Sequence, residues 1–238
     1  MKRYFRMMGL LLCLSLASVA LQGCDNDDDD DYYLDMTPNA IVSVYSADNS
    51  GHPLLALNDS TTLYPVNLGS RLYGGKRMRA FVNLRQANGS ELNNGIYADG
   101  MENVYVNWID TIRTKEMATD MGAKNDSIYG TDPLEIVNDW ATCVEDGFLT
   151  LRFRSLFTPG STHILNLVRG SAPNEVVVHQ DARGDLRGQM GDGIIAFSLR
   201  RLGLAPGTTQ QLVVKWNSYS GEKSHTFTYR VPRRFGQQ

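Results

Sequence analysis

Among the residues able to do chemistry, the cysteine at position 24 has the most informative neighbours. Lys2, Arg3 and Arg6 open the chain with positive charge, and residues 7–21 form an apolar stretch. That stretch is shorter than the ~20 residues a membrane-spanning helix needs, so it reads as a targeting segment. It closes on Leu21-Gln22-Gly23-Cys24, with an aliphatic residue three positions before the cysteine and a small one directly before it. This is the spacing of a bacterial lipobox, with Gln22 departing from the small residue usual at its position. The chemistry implied is acylation: residues 1–23 are removed and Cys24 becomes a lipidated first residue. Each buried methylene of an acyl chain contributes about 0.8 kcal/mol, so several chains hold a protein to a bilayer far more firmly than one.

The other reactive side chains are scattered. Cys13 leaves with the signal, so Cys143 has no intrachain partner. With no His, Lys or Arg beside it in sequence to lower its pKa, it reads as a small buried hydrophobe. His52, His163, His179 and His225 are far apart, without His-x-His or Cys-x-x-Cys spacing, so no metal site is expected. There is no Gly-x-Ser-x-Gly, no His-Glu-x-x-His and no phosphate-cradling glycine loop. The expectation is no catalytic residue, no cofactor and no enzyme.

Directly after Cys24 come Asp25, Asp27, Asp28, Asp29, Asp30 and Asp31. Like charges at this density repel and extend the chain, so residues 24–36 read as a tether. A calcium loop would need a glycine to turn the ligands inward, and this run has none. Removing Lys2, Arg3 and Arg6 from a chain of net charge −3 leaves −6, and the six aspartates match all of it. The remaining body is electrically balanced, which argues against nucleic acid as a partner. The aspartate run resembles the export signal of Bacteroidetes-type lipoproteins, which implies display on the outer face of the outer membrane.

With 42% hydrophobic and 21% charged residues among 238, the body can bury a substantial core. Alternating patterns predict strands at 40–45, 54–57, 62–66, 77–85 and 104–113, with Asn58-Asp59-Ser60 as a turn. Residues 115–124 carry the best helical period, with Met117 and Met121 four apart. The polar stretch 120–132 is expected to link residues 37–119 to residues 133–238. Seven more strands are predicted at 136–144, 148–157, 164–168, 176–179, 194–199, 212–216 and 226–231. In the second of these Leu149, Leu151 and Phe153 alternate with Thr150, Arg152 and Arg154, the pattern of a sheet with one buried face.

The lipobox, the aspartate run, Asp132-Pro133-Leu134, Gly147-Phe148-Leu149-Thr150-Leu151-Arg152-Phe153 and His163-Ile164-Leu165-Asn166-Leu167-Val168 together resemble the NigD-like lipoproteins. The resemblance implies an all-β chain, with an N-terminal OB-like barrel followed by a C-terminal antiparallel β-sandwich. About ten residues separate the third and fourth strands, too few for the helix an OB-fold usually places there. The resemblance further implies a binding or interaction module for a glycan, peptide or partner protein. A bacteriocin-immunity role is the alternative attached to the family's name, and an uncharacterised hydrolase is a third.

For a ligand, the polar segment 87–103 and the aromatics Tyr97, Tyr105 and Trp108 are the candidates, because sugars stack on aromatic faces and this loop flanks the ligand face of OB-folds. Trp140 and Trp216 fall on apolar faces of predicted strands and are expected in the core. Arg152, Arg154 and Arg230 would form a cationic patch if their strands paired. Asp126-Ser127-Ile128 resembles a Bacteroidetes O-glycosylation motif, with Ser127 as the acceptor.

Overall fold

The computed structural model describes residues 37–46, 51–70, 72–93 and 97–233. Cys24 and the aspartates from Asp25 to Asp31 lie outside them.

The first five strands are β1 (Ala40–Ser46), β2 (Pro53–Ala56), β3 (Thr62–Pro65), β4 (Met78–Gln86) and β5 (Glu102–Thr111). They close into a barrel in the order β1-β2-β3-β5-β4, with β4 returning to β1 and β3 running parallel to β5. Alternation along each strand decides which side chains fill it. Val42, Val44, Leu55, Leu63, Ala80, Val82, Val104 and Val106 form the buried interior. The turn between β2 and β3 is held by Asn58, whose Oδ1 accepts from the backbone N–H of Ser60 and of Thr61. Between β3 and β4 the chain makes only a short 3-10 turn at Leu72–Gly75, where Tyr73 has φ 53° and Gly74 φ 67°. The departure from the usual OB helix is therefore real.

The second half contains β6 (Thr114–Glu116), β7 (Glu135–Ile136), β8 (Cys143–Glu145), β9 (Phe148–Phe157), β10 (Ile164–Arg169), β11 (Glu175–Asp181), β12 (Gln189–Ser198), β13 (Thr209–Ser218) and β14 (Gly221–Arg230). One sheet has the order β10-β11-β13-β14; the other runs β6-β12-β9-β7, with β8 also paired to β9. Between them lie Leu149, Leu151 and Phe153 of β9 with Leu167, Val176, Phe197, Leu212, Trp216 and Tyr229. The sandwich is not wholly antiparallel, since β11 pairs β13 and β6 pairs β12 in parallel.

Three local expectations change. Residues 115–124 are not one helix: Lys115 and Glu116 pair with β12, Met117 enters the sandwich core, and only Gly122–Lys124 turns as a 3-10 helix. The apolar periodicity of Met117 and Met121 reflected one buried strand-end residue and one exposed residue. Residues 136–144 are not one strand. Asp139 Oδ1 accepts from Ala141 N and Thr142 Oγ1 donates to Val137 O, and these local bonds break the ladder between β7 and β8. Finally, residues 120–132 do more than connect. They carry the short helix α2 (Asn125–Tyr129), and its end is fastened to the sandwich. Asp132 N donates to Gln180 O (3.0 Å), Ala182 N to Asp132 Oδ2 (2.7 Å) and Asn217 Nδ2 to Thr131 O (2.6 Å).

The barrel and sandwich share a buried boundary. Ile41 and Ile112 from the barrel side pack with Ala141 and Ala196 of the sandwich, with Phe81 and Ile194 partly buried beside them. Arg77 of the barrel pairs with the fully buried carboxylate of Asp146 at 2.6 Å.

Candidate functional site, a cleft at the barrel and sandwich boundary

Phe81 lies on the outer face of β4, since its neighbours Ala80 and Val82 fill the barrel. It forms one wall of a cleft of about 310 Å³. Ile194 and Gly193 of β12 contribute to the floor, Arg152 of β9 and the loop Asp139-Trp140-Ala141 form the opposite wall, and Pro38 reaches the rim. Pro38 is fixed there because the chain on both sides of it is bonded to β4. Asn83 Nδ2 donates to Thr37 O (2.6 Å), and the Asn39 side chain bonds both Leu84 N and Leu84 O.

Trp140 dominates the cleft. The turn that breaks residues 136–144 swings it out of the core, so the expectation of a buried Trp140 fails; it is 57% exposed. Its ring meets Phe81 edge-on at 6.0 Å and 66°. Trp216, expected in the core, is there at 7% exposure.

Beside Trp140 lies a charge network. Arg152 Nη1 donates to Asp139 Oδ2 (2.5 Å), Arg152 Nη2 sits 3.3 Å from Asp192 Oδ2, and Arg154 Nε donates to Asp192 Oδ1 (2.9 Å). The Asp139 and Asp192 carboxylates raise the Arg152 pKa, and Arg154 with Arg152 lowers that of Asp192. Two positive and two negative groups thus stand together on the outer face of the sheet. The three arginines form no common cationic patch: Arg152 and Arg154 are matched by aspartates, and Arg230 belongs to β14 in the other sheet.

The aromatics singled out in the first half do not assemble. Tyr105 lies opposite Arg85 and Trp108 opposite Asn83, so both face outward from the barrel. The Arg85 guanidinium lies 4.5 Å from the Tyr105 ring centroid and covers that face. Tyr97 is exposed, and among the described residues no ring pair joins the three. Within the segment 87–103, residues Gly89–Leu92 form the short helix α1, closed by a capping box between Asn88 and Glu91.

Ser127 is exposed on α2, with its Oγ donating to Lys124 O (2.9 Å). Cys143 does have a basic neighbour, supplied by the barrel rather than by adjacent sequence: Arg79 Nη2 lies 3.7 Å from its sulfur. Burial outweighs that charge and pushes the thiol pKa up. The histidines make separate contacts. His52 reaches Pro65 O, His163 meets Asp185 and His179 meets Gly130 O. Among the described residues no three His, Cys, Asp or Glu side chains converge as metal ligands would.

The architecture is that of a small closed barrel packed on a two-sheet sandwich. Residues 116–229 match the family model of the NigD-like C-terminal beta sandwich domain, so this half of the chain belongs to that family. Similar solved structures span both halves. A protein named toxin-related from Parabacteroides distasonis ATCC 8503 is 29% identical, with TM-score 0.64, covering 83% of this chain and 94% of that one. A protein of unknown function from Bacteroides vulgatus ATCC 8482 is 19% identical (TM-score 0.60; 81% and 90% covered). A NigD-like immunity protein from Bacteroides caccae ATCC 43185 is 15% identical (TM-score 0.53; 80% and 92% covered), and at these identities the last two show the fold alone. No curated protein matches the sequence.

Proposed function

We propose that this chain is a lipid-anchored, non-enzymatic binding protein of the outer membrane, facing the cell exterior, whose ligand occupies the Trp140 cleft. The observation that carries the reading is the exposure of Trp140. A large indole held in the open beside Phe81, over a concave floor and next to aligned charges, is more than folding requires. The lipobox at Cys24 and the aspartates after it support the anchor and the address. The hydrolase alternative gains no metal-ligand cluster among the described residues. The immunity role named for the Bacteroides caccae structure would require a protein toxin as occupant.

The test places a photoreactive benzoylphenylalanine at position 140 of the full-length protein in living cells. A light-dependent adduct that is lost when Ile194→Trp, on the cleft face of β12, obstructs the cleft is the expected result. No adduct at position 140, while the protein is folded and membrane-bound, would sink the assignment of the cleft. A toxin polypeptide in the adduct would turn the reading to immunity. In parallel, Cys24→Ala should abolish incorporation of labelled fatty acid and release the protein from membranes.

A further inference from the structure

We infer that the occupant of the Trp140 cleft is an uncharged glycan, a class that rests on the binding reading above. Three features of the cleft select it. First, the indole of Trp140 is available to pack: Phe81 meets it edge-on at 66° and leaves it 57% exposed. Pyranose C–H bonds, made positive by neighbouring oxygens, are attracted to the negative face of such a ring.

Second, the polar wall is already neutral. Arg152 and Arg154 are offset by Asp139 and Asp192 at 2.5–3.3 Å. An anionic ligand would have to displace a carboxylate from a guanidinium, and a cationic one would have to displace a guanidinium from a carboxylate. Sugar hydroxyls need do neither. Each carboxylate has about four lone-pair sites and each guanidinium five N–H groups, so the ion pairs leave acceptors and donors in a fixed array. Hydroxyl groups are both donors and acceptors and complete such an array without separating the charges.

Third, the floor does not favour an extended peptide. Ile194 of β12 pairs with Arg152 of β9, and on the other side Val137 N donates to Arg152 O. β9, which carries Arg152, thus has both neighbours in place and offers no edge for strand addition, and β12 is paired on its far side only from Ala196 to Ser198.

The experiment follows tryptophan emission of the full-length protein in a detergent without a sugar headgroup. The probes are neutral oligosaccharides of glucose, mannose and galactose, oligogalacturonate as the acidic counterpart, and mixed-sequence hexapeptides. The expected result is saturable quenching and a blue shift with a neutral series. Trp140→Ala should weaken it by about tenfold or more, Asp192→Asn should weaken it while leaving the melting transition in place, and Tyr97→Ala should leave it unchanged. Added salt should alter the affinity by less than about twofold, because no net charge is neutralised. Preference for oligogalacturonate or for a peptide through Trp140 would overturn the glycan class while leaving the cleft as a binding site. Neutral sugar binding that survives Trp140→Ala would overturn the site. Absence of binding by every neutral series would overturn the class, and the photoadduct at position 140 then reports separately whether the cleft binds anything.

Discussion

Arg79 of the barrel strand β4 donates through Nε to Thr150 Oγ1 on β9 of the sandwich, 3.3 Å away, and both residues are fully buried. Its Nη1 reaches Ser43 Oγ (3.0 Å) and its Nη2 the Cys143 sulfur (3.7 Å), so its direct partners are a hydroxyl from its own barrel and two groups from the sandwich. No carboxylate touches it in these bonds; Asp146 and Glu145 act on it through space, and desolvation lowers its pKa. A guanidinium stays charged even so. The two halves therefore meet over a buried charge held by neutral acceptors, an arrangement that specifies their alignment more than it stabilises them.

The first prediction follows from that balance. Arg79→Met keeps the length of the side chain and removes the desolvated charge, so urea unfolding should place it within about 1 kcal/mol of the parent. Thr150→Val keeps the charge and removes one of its acceptors, and should cost about 1–3 kcal/mol. A larger loss from Arg79→Met than from Thr150→Val would show that the hydrogen bonds dominate instead.

The strand pattern was legible because alternation reports burial directly. Ala80 and Val82, and Leu149, Leu151 and Phe153, are inside as their spacing requires. What alternation could not report is that the other face of the same strands is also covered where barrel and sandwich meet. Arg79 and Thr150 have the types of solvent-facing residues and are wholly buried. The cleft was missed for a related reason. Trp140 lies in a run whose apolar residues fit a strand, and its exposure depends on side-chain bonds made by Asp139 and Thr142. Asp139 two residues before Ala141 was the available sign of a turn. The pairing of Arg152 with Asp192 joins residues forty apart and needed the register of β9 against β12.

Gly130 tests whether residues 120–132 are part of the sandwich. It has φ +83°, and a Cβ there would fall 2.3 Å from Gln180 O and 2.8 Å from Asp181 Cα of β11. Both contacts are backbone and cannot yield as a side chain would. Gly130→Ala should cost about 2 kcal/mol or more in chemical unfolding, combining strain with overpacking. A change below about 0.5 kcal/mol would mean that this segment detaches freely from β11.

Asp185 should make stability depend on acid. Hydrogen bonds from Ser161 first, then from the Thr158 hydroxyl and backbone N–H, with a further one from His163, hold its carboxyl well below the usual carboxylate range. A depressed folded pKa means the contribution is complete above the unfolded value of about 3.9 and is lost as pH falls below it. Asp185→Asn should therefore melt below the parent at neutral pH, with the gap closing as pH drops under about 4. A gap that stays constant through that range would remove the carboxylate from the explanation.

The aspartate run is expected to act as an address rather than as structure. Replacing Asp27, Asp28, Asp29, Asp30 and Asp31 by Asn should leave the unfolding midpoint unchanged and reduce digestion of the protein when intact cells are treated with protease. Equal digestion of both forms, with lipidation intact, would reject the export role.

The last prediction concerns where the sandwich begins. A fragment from Pro133 carries β7 to β14 but lacks β6, Met117 and the segment bonded to Gln180, Ala182 and Asn217. It also leaves the parallel edge of β12 unpaired at Ala196, Phe197 and Ser198. A fragment from Arg113 restores all of these, including the buried Met117, whose removal alone is expected to cost about 2–5 kcal/mol. Both fragments expose the boundary once covered by the barrel, so neither should equal the full chain. The longer fragment should nevertheless exceed the shorter by at least about 2 kcal/mol in urea, with the shorter showing a broad or absent transition. Equal cooperative transitions for the two would mean that β6 and Met117 lean on the sandwich without supporting it, and that its core is complete from Pro133 onward.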